Sequence, residues 1–164
     1  EVMVYLLDTN IFRELLEHFP KRGKMFEEIW KQFEQGIKDG SILSVDECYN
    51  ELTRHYDEKN PHYQWLHDRQ EMFLNPTNEE SIYIRTLFQN PKMRESIHEK
   101  NIVKNRPAAD AYLAAKAKAL GAVVVTKEEY KPHSAQLPNV CETLGVKWIS
   151  YDEFMEELSA GAGR

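Results

Sequence analysis

The sequence predicts an α/β fold in which a parallel sheet of about four to five strands carries helices on both faces. Two short segments, 2–7 (VMVYLL) and 122–126 (AVVVT), are almost wholly apolar, which is typical of strands buried on both sides. Elsewhere apolar residues mostly recur at the spacing of helices, so strands and helices alternate along the chain. This alternation predicts right-handed crossovers and a parallel sheet.

The first elements can be placed from their own residues. A strand is expected at Val4 to Asp8, where the apolar run ends at an acid. Helical spacing then covers 11–19 and 25–37, and these helices should stop at Pro20 and Gly40, two residues that terminate helices. The chain therefore begins with one strand and two helices.

The middle of the chain adds a second strand and a large helical region. The strand is expected at Ile42 to Ser44. Ser44 and Glu47 match the Ser-x-x-Glu pattern of a capping box, which predicts that a helix begins there. Because residues 61–103 have helical periodicity interrupted by two prolines, we interpret them as a helical insertion within a single domain spanning 1–164.

The last third repeats the alternation. An alanine-rich helix should begin near Pro107, since proline suits the first helical turn, and should end at Gly121. Strands are expected at Val123 to Thr126 and at Lys147 to Ile149, and a final helix should begin at the capping box that starts with Ser150.

Charge and composition limit the classes of function. The net charge of −6 argues against a protein that coats nucleic acid by bulk electrostatics. An enzyme that uses acids to hold divalent cations can be acidic and still bind phosphates through the metal. Without a secretory leader, a long apolar run, or a metal or disulfide pattern at Cys48 and Cys141, we expect a cytoplasmic protein that does not associate with membranes.

Four acids follow or flank the predicted strands: Asp8, Glu51, Asp110 and Glu128. Ligands of an open parallel sheet bind beyond the carboxyl ends of its strands, so these side chains are expected to converge there. Close carboxylates repel one another unless cations neutralise them. Their convergence predicts a Mg²⁺ or Mn²⁺ site, because these ions prefer oxygen ligands.

Each acid also has a purely structural interpretation. Asp8 could cap the helix that follows it, Asp110 could complement a helix dipole, and Thr126 with Glu129 could form another capping box. On the helix after the second strand, Glu47 and Glu51 lie one turn apart. Since a capping box accounts for Glu47, we choose Glu51 as the site residue.

Several segments together resemble the PIN-domain ribonucleases, including the VapC-type toxins of toxin–antitoxin pairs. They are YLLDTNIF (5–12), SVDECYNEL (44–52), RPAADAYLAAKAKALGAVVVTKE (106–128) and GVKWISYDEF (145–154). The resemblance covers most of the chain outside the insertion, which is larger than in compact toxin members. It places the three central acids of the family on Asp8, Glu51 and Asp110. A frequent fourth acid, usually aspartate, falls on Glu128.

The resemblance implies a mechanism and partners. One or two Mg²⁺ or Mn²⁺ ions would activate a water for hydrolysis of an RNA phosphodiester, leaving a 5′-phosphate and a 3′-hydroxyl. Asn10 and Thr126 are expected to orient the metal ligands. RNA is the expected substrate, and a small antitoxin protein and a second copy of the chain are the candidate partners.

Positive charge near the acids should guide the RNA backbone. Between residues 85 and 106 the chain carries six basic and two acidic residues, a net +4 in a protein that is negative overall. Lys104 and Arg106 precede Asp110, and Lys127 precedes Glu128, so these three cations are the candidate contacts to the RNA backbone.

Two rival functions remain open. A phosphatase with Asp8 as its nucleophile usually has a second aspartate two residues later, where this chain has Asn10. The other rival is an inactive PIN-like module that binds protein or RNA and uses its acids as helix caps. Metal-dependent cleavage of RNA, suppressed by a chelator, is expected only of the nuclease.

Overall fold

The computed structural model describes residues 3–104 and 109–162, and within these ranges five strands form one sheet. They are β1 (Tyr5–Leu7), β2 (Ile42–Val45), β3 (Phe73–Leu74), β4 (Val123–Thr126) and β5 (Trp148–Ser150). Their order is β3-β2-β1-β4-β5, and every neighbouring pair is parallel. In the centre, Leu6 of β1 pairs with Leu43 on one side and Val124 on the other. The predicted parallel α/β fold is confirmed.

Two groups of helices cover the sheet. The helices are α1 (Thr9–His18), α2 (Lys24–Asp39), α3 (Asp46–His55), α4 (Pro61–Asp68), α5 (Asn78–Gln89), α6 (Pro91–Lys104), α7 (Asp110–Leu120), α8 (Leu137–Leu144) and α9 (Tyr151–Ala162). α2 packs with α9, whereas α7 packs with α5 and α8. Right-handed crossovers that leave β1 and β4 in opposite directions place these groups on opposite faces.

The α2–β2 connection shows how local sequence sets the packing. α2 ends at Gly40, which adopts a left-handed conformation with φ +83° that favours glycine. One turn earlier, Gly36 lies against β2. A Cβ atom at Gly36 would lie 2.5 Å from Cδ1 of Ile42, so the helix approaches the strand more closely than alanine would permit.

The insertion is less purely helical than the sequence predicts. After α4, a 3-10 turn at Gln70–Met72 leads into β3, which pairs with β2 and extends the sheet by one strand. Leu66 and Leu87 of the insertion are fully buried in the same core cluster as the central strands. The helical insertion predicted at 61–103 therefore contains one short strand, Phe73–Leu74, that the sequence did not predict.

A buried ion pair fastens the insertion to α7. Lys116 Nζ lies 2.8 Å from Glu80 Oε2, with side chains only 5% and 1% exposed. The same ammonium donates to the carbonyl oxygen of Asn75 at 2.7 Å. Glu80 also binds the backbone N–H of Thr77 at 2.9 Å and completes a capping box at the start of α5. Charge and hydrogen bonds thus join the insertion to the helix that carries Asp110.

Two predicted capping boxes are absent. The hydroxyl of Ser44 donates to the carbonyl of Leu7 at 2.7 Å, and α3 begins at Asp46 after Val45, which makes no side-chain cap. After Thr126 the chain runs through a non-helical loop before α8 begins at Leu137, so no helix requires a Thr126–Glu129 box. Instead, the Ser44 hydroxyl binds the carbonyl of Leu7, and the Thr126 hydroxyl binds the carboxylate of Asp8.

None of the helices in the described ranges is long and apolar enough to span a membrane.

Candidate active site

The four predicted acids line one pocket of about 220 Å³ beyond the carboxyl ends of β1 and β4. The full lining is Asp8, Thr9, Asn10, Arg13, Glu51, His55, Asp110 and Glu128. These residues come from the β1–α1 junction, α1, α3, the start of α7 and the loop after β4. The parallel topology thus brings together side chains that lie up to 120 positions apart in the sequence.

Asp8 occupies the centre of this arrangement. It directly follows β1, and its Oδ1 accepts the backbone N–H of Thr9 at 2.8 Å as the N-cap of α1. Its Oδ2 accepts the hydroxyl of Thr126 at 3.1 Å. Burial, followed by the negative charges of Asp110 and Glu128, raises the pKa of Asp8 from 3.8 to about 7.

Glu51 enters the pocket from α3. Its Oε2 accepts the hydroxyl of Thr9 at 2.7 Å. Within the described residues, its Oε1 is one of the few buried side-chain oxygens that have no hydrogen-bond partner. Such an oxygen is costly to bury unless it binds something, and it lies beside the other acids.

Glu47 lies one turn before Glu51 and is not among the residues that line the acid pocket. Its pKa is raised, first by burial and then by the neighbouring charge of Asp46. The capping box that accounted for Glu47 in the sequence is absent, so that argument for choosing Glu51 was wrong. The position of Glu51 in the pocket now provides the distinction.

Asp110 and Glu128 complete the acid cluster. Asp110 is the first residue of α7 and is 6% exposed. Glu128 Oε2 accepts the backbone N–H of Leu137, the first residue of α8, at 2.7 Å. Its own N–H donates to the hydroxyl of Thr126 at 3.0 Å, so one threonine hydroxyl links Asp8 to Glu128.

The chemistry of the cluster suits a hard divalent cation. The side chains that converge offer carboxylate oxygens, and burial followed by the charges of Asp110 and Glu128 raises the pKa of Asp8. Within the described residues, Glu51 presents a buried oxygen that lacks a hydrogen bond. Among the described residues, no three Asp, Glu, His or Cys side chains are already arranged as ligands of a single ion. Binding a cation would therefore require these side chains to turn towards it, and the cation would offset the repulsion between their negative charges.

Of the three basic residues predicted to contact the RNA backbone, the structure describes the side chain of Lys127 alone. Lys127 Nζ lies 2.8 Å from Glu14 Oε2, at a pocket next to the acids. Arg106 and the side chain of Lys104 lie outside the described residues. Lys92, at the start of the predicted basic segment, lines a different pocket with Tyr130.

Three pocket residues were missed in the sequence. Thr9 binds both Asp8 and Glu51, yet within the Asp-Thr-Asn motif only Asp8 and Asn10 were predicted as site residues. Arg13 and His55 line the pocket as basic residues. Each follows a pocket residue by four positions on its helix, Thr9 and Glu51 respectively, and this spacing could have identified both.

Comparison with known proteins identifies the family. A family model described as a domain of unknown function, DUF4411, matches residues 5–161. The chain belongs to the DUF4411 family. No curated protein matches the DUF4411 chain.

Solved structures define the fold of this DUF4411 chain. VapBC2 from Rickettsia felis, bound to a DNA fragment from its promoter, aligns with a TM-score of 0.55 at 15% identity, covering 90% of this chain and 98% of that one. FitAcB from Neisseria gonorrhoeae aligns at 0.51 and 17%, covering 90% and 98%. VapBC-1 from nontypeable Haemophilus influenzae aligns at 0.53 and 16%, covering 92% and 99%. The chain shares the fold of these three structures, and this is the PIN-like α/β fold that the sequence resemblance predicts.

Proposed function

We propose that this DUF4411 chain is a Mg²⁺- or Mn²⁺-dependent endoribonuclease of the PIN type. The observation that carries the proposal is the convergence of Asp8, Glu51, Asp110 and Glu128 on one pocket, in a PIN-like fold. The raised pKa of Asp8 and the unpartnered oxygen of Glu51 support a cation as the missing counter-charge.

The residues of the pocket have distinct roles in this proposal. Asp8, Glu51, Asp110 and Glu128 would hold the cation, which supplies an activated water and stabilises the charge on the leaving oxygen. Thr126 orients Asp8 and Thr9 orients Glu51 through the hydrogen bonds already described. Asn10 is exposed at the rim and is available to contact the substrate.

Cleavage of a fluorescent RNA in the presence of Mn²⁺ or Mg²⁺ tests the proposal. Asp8→Asn should lower the rate at least about a hundredfold, because even supporting residues of metal sites contribute 10- to 100-fold. Chelation should abolish the activity of the wild-type protein. Wild-type protein that leaves RNA intact with both metals, while remaining folded, contradicts the proposal.

A matched pair of variants separates the pocket from its surroundings. Glu51→Gln removes a charge from inside the pocket, whereas Glu47→Gln removes the same charge one helical turn away. We expect loss of cleavage only for Glu51→Gln. If Glu47→Gln causes the larger loss, the metal ligand has been assigned to the wrong turn of α3.

We further propose that the enzyme is the toxin of a toxin–antitoxin pair. Support comes from the solved neighbours, which are VapBC and FitAcB complexes. The test is whether an adjacent reading frame encodes a small protein that binds this chain and suppresses its RNA cleavage. Light scattering of the purified chain will establish whether it forms a homodimer. Cleavage that the product of the neighbouring frame neither binds nor inhibits contradicts the toxin role and leaves the nuclease activity intact.

An inactive binding module is the alternative function, and two contacts favour it. Asp8 caps α1, and Glu128 binds the first N–H of α8, so both acids have structural roles. Because asparagine caps helices about as well as aspartate, the module hypothesis predicts that Asp8→Asn changes neither RNA binding nor a metal-induced melting shift. The nuclease hypothesis predicts that the metal-induced shift shrinks in the variant.

A further inference from the structure

We propose that an RNA strand leaving the acid pocket follows α1, where Arg13 and Lys127 bind its phosphates after displacing Glu17 and Glu14. The inference rests on the proposed nuclease function and deepens it, since it assigns a substrate path and the residues that line it.

The path is continuous in the structure. A second pocket of about 250 Å³ is lined by Asn10, Arg13, Glu14, Glu17, His18 and Lys127. It shares Asn10 and Arg13 with the acid pocket, so the two cavities meet at these residues. From Asn10 to His18 the helix extends over about 12 Å, enough for more than one phosphate group of a strand lying along it.

Arg13 and Lys127, the basic side chains of this second pocket (the groove along α1), each pair with a glutamate and stay partly exposed to solvent. Arg13 Nε lies 3.4 Å from Glu17 Oε2, and Lys127 Nζ lies 2.8 Å from Glu14 Oε2. The Arg13 and Lys127 side chains are 41% and 43% exposed. Exposed ion pairs of this kind contribute little to stability, so an incoming phosphate can replace the carboxylate without disturbing the fold.

Other ion pairs of the described chain differ in this respect. Lys116 is buried with Glu80 and cannot reach a ligand. Arg69 binds Glu34 and the carbonyl of Trp65 and also lies over the Trp65 ring, 4.2 Å from its centroid. Arg13 and Lys127 combine exposure, a single described acidic partner and a position beside the acid pocket. The two glutamates therefore act as stand-ins that occupy the cations until a phosphate arrives.

This arrangement predicts opposite effects for the two kinds of residue. Arg13→Gln and Lys127→Gln should raise KM for a single-stranded RNA several-fold and leave kcat nearly unchanged. Glu14→Gln and Glu17→Gln should lower KM about two- to fivefold, because the carboxylate no longer competes with phosphate. A residue that only supports the fold would not produce this opposition of sign.

Salt dependence provides a second, independent measurement. Binding of a labelled RNA oligonucleotide to the Asp8→Asn protein, followed by anisotropy, should weaken with salt. Each phosphate contact to a single strand contributes a slope of about 0.7 in log Kd against log salt concentration. The slope should fall by about that amount in the Arg13→Gln protein, and by a similar amount in the Lys127→Gln protein. It should not fall for Glu14→Gln or Glu17→Gln.

Lys38→Gln is the matched control, because Lys38 is an exposed lysine that lines another pocket, between α2 and the 3-10 turn. It should leave KM and the salt slope unchanged. Suppose that the protein cleaves RNA, but that Arg13→Gln and Lys127→Gln have the same KM and salt slope as Lys38→Gln. That result overturns the path along α1 and leaves the nuclease proposal standing. Absence of cleavage by wild-type protein overturns the nuclease proposal, and the slopes for oligonucleotide binding still test the groove.

Discussion

Replacing Asp8 with asparagine should stabilise the metal-free protein, and the gain should grow as the pH rises. The folded state raises the pKa of Asp8 from 3.8 to about 7, because the carboxyl is buried beside two other acids. Between these two values the folded protein holds a proton that the unfolded chain releases. The wild-type free energy of unfolding therefore falls as the pH rises from 3.8 to about 7 and reaches a plateau above that.

The size of the effect follows from the same values. From pH 5 to the folded pKa of about 7, the unfolded chain carries a charged Asp8 and the folded chain a neutral one. One pKa unit corresponds to about 1.4 kcal/mol, so the stability difference between Asp8→Asn and wild type should grow by about 3 kcal/mol over this range. Asparagine has the same shape: its carbonyl oxygen can still accept the N–H of Thr9, and its NH2 group can donate to the Thr126 hydroxyl.

Urea denaturation of both proteins at pH 5, 6, 7 and 8 in the presence of a chelator measures this difference. Comparing the two proteins at each pH cancels the titration of the groups that do not interact with Asp8. Saturating Mg²⁺ should then stabilise the wild type most at high pH, because the cation replaces the proton as the counter-charge. If the stability difference between Asp8→Asn and wild type stays constant between pH 5 and 8, the folded state does not raise the pKa of Asp8 and the reasoning is refuted.

Three further variants test other contacts. Lys116→Met should destabilise the protein by about 3 to 5 kcal/mol in urea denaturation, because it leaves Glu80 buried without its cation. A Glu80→Gln/Lys116→Met double variant should recover much of this loss. Equal stabilities of the single and the double variant would contradict this explanation. Gly36→Ala should cost about 1 to 3 kcal/mol by pushing on Ile42, and a double-mutant cycle with Ile42→Val should show coupling if the clash is real. Thr9→Val removes the hydroxyl that binds Glu51, so titration with Mn²⁺ should show an affinity for the metal about tenfold lower. An unchanged affinity would argue against a role of Thr9 in positioning Glu51.

The sheet was predictable wherever a strand has enough apolar residues to form a pattern. β1 and β4 are buried runs, and their chemistry allows few other structures. β3 has only two residues, and its strand geometry comes from pairing with Ser44 and Val45 rather than from its own sequence. A segment that short carries no periodicity, so only the tertiary contact defines it.

The acids of the pocket were predictable for a different reason. Parallel strands end at a common edge, so an acid after a strand can be placed without knowing any side-chain conformation. Arg13 and His55 could not be placed in this way, because neither directly follows a strand; only their four-residue spacing from Thr9 and Glu51 indicates their position. The Ser44–Glu47 box failed because α3 begins at Asp46, so Val45 and not Ser44 holds the N-cap position. The Ser44 hydroxyl donates instead to the carbonyl of Leu7, which is distant in sequence.

The hydrogen bond between Asp8 and Thr126 also has a consequence for how the molecule is made. These residues are separated by 118 positions, and β1 must pair with β4 before the pocket has its second wall. A ribosome synthesises Asp8 before Thr126, so the nascent chain carries Asp8 without its Thr126 partner while the residues between them are added. Contacts between such distant segments also form slowly during folding. Whatever chemistry the pocket performs therefore begins only after β4 has been synthesised and has paired with β1.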